Sequence, residues 1–200
     1  MRRFVIVFVS SLTLSLGATG SVFAQSAGSG YVQGFGGFLH GSDATTPVFG
    51  AEVGFEVIDN LAIFGNVGLG LNVFPDDEQD ALQEGCDLID VECDATARLT
   101  FLTGGAKYLF PTGGAVRLYA AGGLGIARLS VKIEADDEDI TDDVIVGDPS
   151  STEALLEVGG GIELPAGGNG KLDVGYRLMK IFEDDSEVGH RIHVGFGWRF

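Results

Sequence analysis

A 200-residue chain with 32 Gly and 14 Phe is one domain's worth, and that bias favours β structure over a soluble α/β fold. The net charge of −17 argues against nucleic acid as a partner, because phosphate binding is driven by Lys and Arg. Past the N-terminus no run reaches the roughly 18 apolar residues that a membrane helix needs, so any membrane crossing is made by strands.

Residues 1–24 read as a secretory signal peptide: Arg2 and Arg3 precede a short apolar region, and Val22-Phe23-Ala24 is a small-residue cleavage site. Cleavage between Ala24 and Gln25 leaves residues 25–200 as one barrel domain.

From Tyr31 onward, strands alternate with turns of two kinds. Strand one covers 30–39, and its outward phase is open, since Tyr31, Phe35 and Leu39 compete with Val32 and Phe38. Strand two, 47–58, sets Phe49, Val53 and Phe55 against Glu52, Gly54 and Glu56. A two-residue turn at Asp59 and Asn60 leads to strand three, 61–73, where Ile63, Val67 and Leu69 alternate with Asn66, Gly68 and Gly70. Strand four, 96–110, has an open register, and a Pro-Thr-Gly-Gly turn follows. Strand five, 115–132, sets Leu118, Leu124 and Ile126 against Arg117, Tyr119 and Gly123. Strands six, 153–164, and seven, 171–181, place Glu157, Glu163, Asp173 and Arg177 on one face and Leu156, Val158, Val174 and Tyr176 on the other.

The last strand, within 187–200, has a wholly apolar side of Ile192, Val194, Phe196, Trp198 and Phe200. Its other side carries Arg191, His193, Gly195, Gly197 and Arg199, a charged, small-residue face suited to a narrow membrane-barrel lumen. The eight strands are joined alternately by short turns and by longer, acidic connections. That is the short-periplasmic, long-extracellular pattern of an all-β, eight-stranded antiparallel up-and-down transmembrane β-barrel with both termini in the periplasm.

The final residues, His193-x-Gly195-x-x-Trp198-x-Phe200, resemble the C-terminal signal by which bacterial outer-membrane barrels reach their assembly machinery. Together with the glycine-aromatic strands, they make residues 25–200 similar to the eight-stranded family that includes the OmpA membrane domain, OmpX and the opacity-type surface antigens. The resemblance implies an integral, monomeric outer-membrane protein in contact with outer-membrane lipid and lipopolysaccharide. It also implies the barrel assembly machinery and periplasmic chaperones as partners during biogenesis. The peptidoglycan-binding domain of full OmpA proteins is not expected.

The predicted inward faces carry Glu52, Glu56, Lys107, Arg117, Glu157, Glu163, Asp173, Arg177, Arg191 and Arg199, five acids and five bases. Ions in a space barely wider than a side chain must pair across it. Such pairs form either a salt-bridged plug or, as the resemblance suggests, a gate for a low-conductance channel.

Residues 76–94 hold nine acidic side chains and 134–148 hold eight, with no Lys or Arg in either. They are a solvated face or a diffuse Ca²⁺ or Mg²⁺ site, since the spacing lacks the order of a dedicated calcium loop. No cofactor or dedicated metal site is expected. Cys86 and Cys93 lie seven apart in the first of these stretches, and in an oxidising periplasm they are expected to form a disulfide. His40, His190 and His193 have no neighbouring Ser that makes a convincing dyad, so no catalytic residue is assigned. The expected role is a surface scaffold displaying acidic loops; the alternatives are the gated pore and, behind it, a lipid-modifying enzyme.

Overall fold

The computed structural model describes residues 29–41, 44–73, 93–112, 115–135, 138–139, 150–182 and 188–200. The cleavage pair Ala24 and Gln25 and the thiol of Cys86 lie outside the described residues, as do most of the acidic stretches. Of Cys93 only the backbone is described, so the disulfide also falls outside.

The described residues contain no helix. The strands are β1 (Gly30–His40), β2 (Thr45–Ile58), β3 (Leu61–Leu71), β4 (Cys93–Leu109), β5 (Arg117–Ala135), β6 (Glu138–Asp139), β7 (Ser150–Pro165), β8 (Gly170–Phe182) and β9 (Val188–Arg199). Eight are long, and the two-residue β6 only extends the end of β5. Every long strand pairs antiparallel with its neighbour in the chain, β5 passing to β7, and the pairing of β1 with β9 closes the barrel. Among the described residues closure pairs each of the eight long strands on both sides, which is what a sheet in lipid requires.

Two turns at the end carrying Phe200 are tight, β2–β3 and β7–β8. Asn60 takes φ 66°, a left-handed conformation that Asn tolerates, and the β2–β3 register slips beside it, between Glu56 and Ile58. Gly167 and Gly168, at φ 76° and 49°, close β7 onto β8.

Several strands run further than hydrophobic alternation predicts. The β4–β5 ladder extends to Cys93 opposite Ala135, and β7 begins at Ser150. A backbone ladder needs no apolar side chain, so polar residues beyond the lipid-facing belt pair without announcing themselves in the sequence.

Two open registers are resolved. In β1, Tyr31, Gln33, Phe35 and Leu39 face the lumen, and Val32 and Phe38 face out. In β4, Ala97, Leu99, Phe101, Thr103 and Lys107 face inward, while Leu102 and Tyr108 face outward. The outer surface is a belt of exposed Val, Ile, Leu and Phe. Near the Phe200 end it carries aromatic pairs, Phe55 against Phe200 and Tyr108 against Phe110, with ring centroids 6.2 and 5.1 Å apart. An apolar exterior around an interior that holds the buried charges inverts the arrangement of a water-soluble barrel and suits one surrounded by lipid.

Candidate functional site

Period-two alternation sends one side chain in two into a lumen just wide enough to be filled by them. All ten predicted inward charges face it. In the half nearer Phe200, the fully buried acids Glu52, Glu157, Glu163 and Asp173 are matched in number by the buried bases Lys107, Lys171, Arg177 and Arg191.

Glu52 is the first hub. Its Oε1 accepts from Lys107 Nζ at 2.6 Å and from the Tyr31 hydroxyl at 2.7 Å, and its Oε2 lies 3.7 Å from Arg177. Glu163 is the second, accepting from Lys171 at 3.0 Å, Arg117 at 2.9 Å and Arg199 at 2.8 Å. Lys107 Nζ stands 3.6 Å from Glu163, joining the two hubs. At the mouth, the partly exposed Arg117 also reaches Glu56 at 3.3 Å.

Glu157 lies deeper, with Arg191 at 2.9 Å and Arg177 Nε at 3.1 Å. Arg177 and Arg191 are direct cross-strand partners in β8 and β9, so this one carboxylate separates two like charges. Among the described residues Asp173 takes no Lys or Arg; it accepts from the Tyr119 hydroxyl at 3.0 Å and lies 3.0 Å from His193 Nε2. A Cβ at Gly161 would stand 2.6 Å from the Tyr119 oxygen, so glycine there leaves room for that phenol.

Beyond Arg191 the filling changes. Its guanidinium lies over Phe35 and Phe101, 4.9 and 5.0 Å from their centroids. Past these rings the lumen is packed by Leu39, Val48, Leu99, Ala127, Leu155 and Met179. At that mouth Val73 and Ile181 border a cavity of about 90 Å³.

Sequence reading missed Lys171 as an inward charge. It stands two residues before Asp173 on the same face, and carrying the alternation one step back to the first residue of the predicted strand finds it. His193, assigned to the assembly signal, is also buried inside the lumen, whereas Trp198 and Phe200 face outward and Gly195 lines the interior. The other two histidines lie outside: His40 Nδ1 meets Thr45 at 2.8 Å and His190 Nδ1 meets Tyr176 at 2.5 Å.

Residues 9–200 match the family model described as the outer membrane protein beta-barrel domain. Among solved structures, the chain is similar to Neisserial surface protein A at 18% identity and TM-score 0.61, covering 86% of this chain and 99% of that one. A major outer membrane protein from Thermus thermophilus aligns at 14% identity and TM-score 0.60, over 87% of this chain and 100% of that one. Ail, the attachment invasion locus protein of Yersinia pestis, aligns at 17% identity and TM-score 0.53, over 87% and 99%. At these identities the likeness is one of fold. No curated protein matches the chain.

Proposed function

The chain belongs to the outer-membrane β-barrel domain family, which makes it an integral protein of a bacterial outer membrane; on that premise we propose that it is a surface scaffold with a plugged lumen. The plug is the observation that carries the reading: the buried Glu52, Glu157 and Glu163 are interlocked across the barrel with four buried bases, and Asp173 is held by Tyr119 and His193. Ions paired in this way tie the strands together across the lumen.

In this role both termini face the periplasm and the acidic connections face outward. The partners are outer-membrane lipid and lipopolysaccharide, with the assembly machinery and periplasmic chaperones acting during biogenesis, and the barrel works as a monomer. The acidic stretches hold Ca²⁺ or Mg²⁺ diffusely. Calcium then raises thermal stability in lipopolysaccharide but not in neutral detergent, and equal effects in both remove that part.

A second reading, a low-conductance pore, is favoured by one feature. Arg177 stands between two carboxylates, 3.1 Å from Glu157 and 3.7 Å from Glu52, so a small rotation exchanges partners. Planar-bilayer recordings of refolded residues 25–200 separate the two. The scaffold predicts silence from wild type and from Arg177→Gln, with a heat-shift gel confirming the folded barrel. Reproducible small openings that change in Arg177→Gln establish the gate instead.

A further inference from the structure

Of the twelve Lys and Arg, Arg2 and Arg3 lie outside the described residues and six face the lumen. The remaining four, Arg98, Arg128, Lys132 and Lys180, point to the outside of the barrel. They are not spread around it: all lie toward the end opposite Phe200, on β4, β5 and β8, and none is on β1, β2, β3 or β9.

Three of them form a group. Arg98 stands directly opposite Ser130 in the β4–β5 ladder. Arg128 and Lys132, two residues to either side of Ser130, are therefore its diagonal neighbours on the same face, about 7–8 Å away. Arg128 donates to the Ser150 hydroxyl at 2.8 Å through one terminal nitrogen, which orients the guanidinium along the outer wall. Toward Phe200 on these strands, past Thr100 on β4, lie the exposed apolar side chains Leu102, Ile126 and Leu124.

The height of the group is also set. From Phe110, in the aromatic pair near the Phe200 end, to Arg98 is twelve residues of β4 and its flank. At about 3.3 Å per residue and a tilt of about 40°, that is roughly 30 Å, one hydrocarbon thickness. Arg98 and Arg128 thus stand where lipid head groups begin.

We propose that the outer face of β4 and β5 around Arg98 and Arg128 is a binding site for the phosphate of an anionic membrane lipid, whose acyl chains lie against Leu102, Leu124 and Ile126. Two guanidiniums offer planar forks of donors that suit a phosphate, in a chain whose net charge otherwise repels one. This site deepens the outer-membrane reading, on which it rests, by fixing which face of the barrel holds a lipid.

The test uses the folded chain in phosphatidylcholine nanodiscs doped with lipid A, with native mass spectrometry counting retained lipid A. Wild type retains it, and Arg98→Gln/Arg128→Gln retains it with affinity lower by about tenfold or more. Arg98→Lys/Arg128→Lys, which keeps the charges, recovers part of the loss, and Lys180→Gln changes little. Lipid A stripped of phosphate binds wild type no better than the glutamine variant does. Equal retention by wild type and the glutamine variant, or equal retention of the two lipids by wild type, overturns the proposal. A conducting wild-type barrel would sink the plugged-scaffold reading without altering lipid retention, so the two failures are told apart.

Discussion

The half of the lumen next to Phe200 is packed with ions and the half beyond Arg191 with hydrocarbon, although the same eight strands wall both. In the first half the ion pairs have a direction and a sign, around a small apolar cluster of Phe64, Leu109, Tyr119 and Ala121. Glu157 holds two guanidiniums, and Glu163 accepts from three bases. In the second, Phe101, Leu155 and Met179 fill volume and require only shape. The two fillings therefore fail differently: the ionic half through the loss of a single buried charge, the apolar half in proportion to the volume removed.

The largest expected effect comes from Glu157→Ala. It leaves Arg177 and Arg191 facing each other across β8 and β9 with no shared counter-charge, and breaking a buried ion pair in this way costs about 3–5 kcal/mol. The midpoint of urea unfolding in lipid vesicles measures it. Glu157→Gln, nearly the same size, loses much of the same amount, whereas Glu157→Leu/Arg177→Leu/Arg191→Met regains most of it. If the isosteric Gln were harmless, the polar half would be ordinary packing and the contrast would dissolve.

In the apolar half the order reverses. Phe101→Ala opens a cavity and costs about 3–5 kcal/mol, while the near-isosteric Met179→Leu costs less than about 1.5 kcal/mol in the same assay. Gly161→Ala tests the boundary between shape and sign. Its new Cβ presses on the Tyr119 hydroxyl and on the backbone of Val174 and Gly175 in β8, at a cost of about 1–3 kcal/mol, so Tyr119→Phe in the same background relieves only the side-chain part of the clash.

The barrel and eight of its ten predicted inward charges were legible because outward apolar and inward polar residues alternate in β2, β7, β8 and β9, and the same alternation in β5 places Arg117. The apolar half was not legible. Phe35, Leu39, Leu99 and Phe101 point inward beside outward Val32, Phe38 and Leu102, so hydrophobicity loses its period there. That is why the phase of β1 and the register of β4 stayed open until strand pairing fixed them. Partner choice was equally hidden. Glu157 sits in β7 and Arg191 in β9, and which levels meet across a barrel depends on its stagger, which single-strand spacing does not encode. Asp173 shows the consequence: a base was the expected partner, and the stagger delivered Tyr119 and His193.

The smallest effect is expected where the ionic half meets solvent. Glu56 and Arg117 are 3.3 Å apart at the mouth, with side chains 23% and 30% exposed. Water there screens the attraction, and an exposed pair contributes about 0–1 kcal/mol. Glu56→Gln should therefore shift the unfolding midpoint by less than about 1 kcal/mol, and the shift should shrink further between low and high salt. Arg117→Gln differs, because Arg117 also donates to the buried Glu163 at 2.9 Å. Glu163 keeps Lys171 and Arg199 in that variant, so the loss stays well below that of Glu157→Ala. A Glu56→Gln shift as large as that of Glu157→Ala would mean that burial is not what separates the strong pairs from the weak ones. The division of the lumen would then lie in the number of partners each carboxylate holds, and Glu163, with the most, would be the residue to remove next.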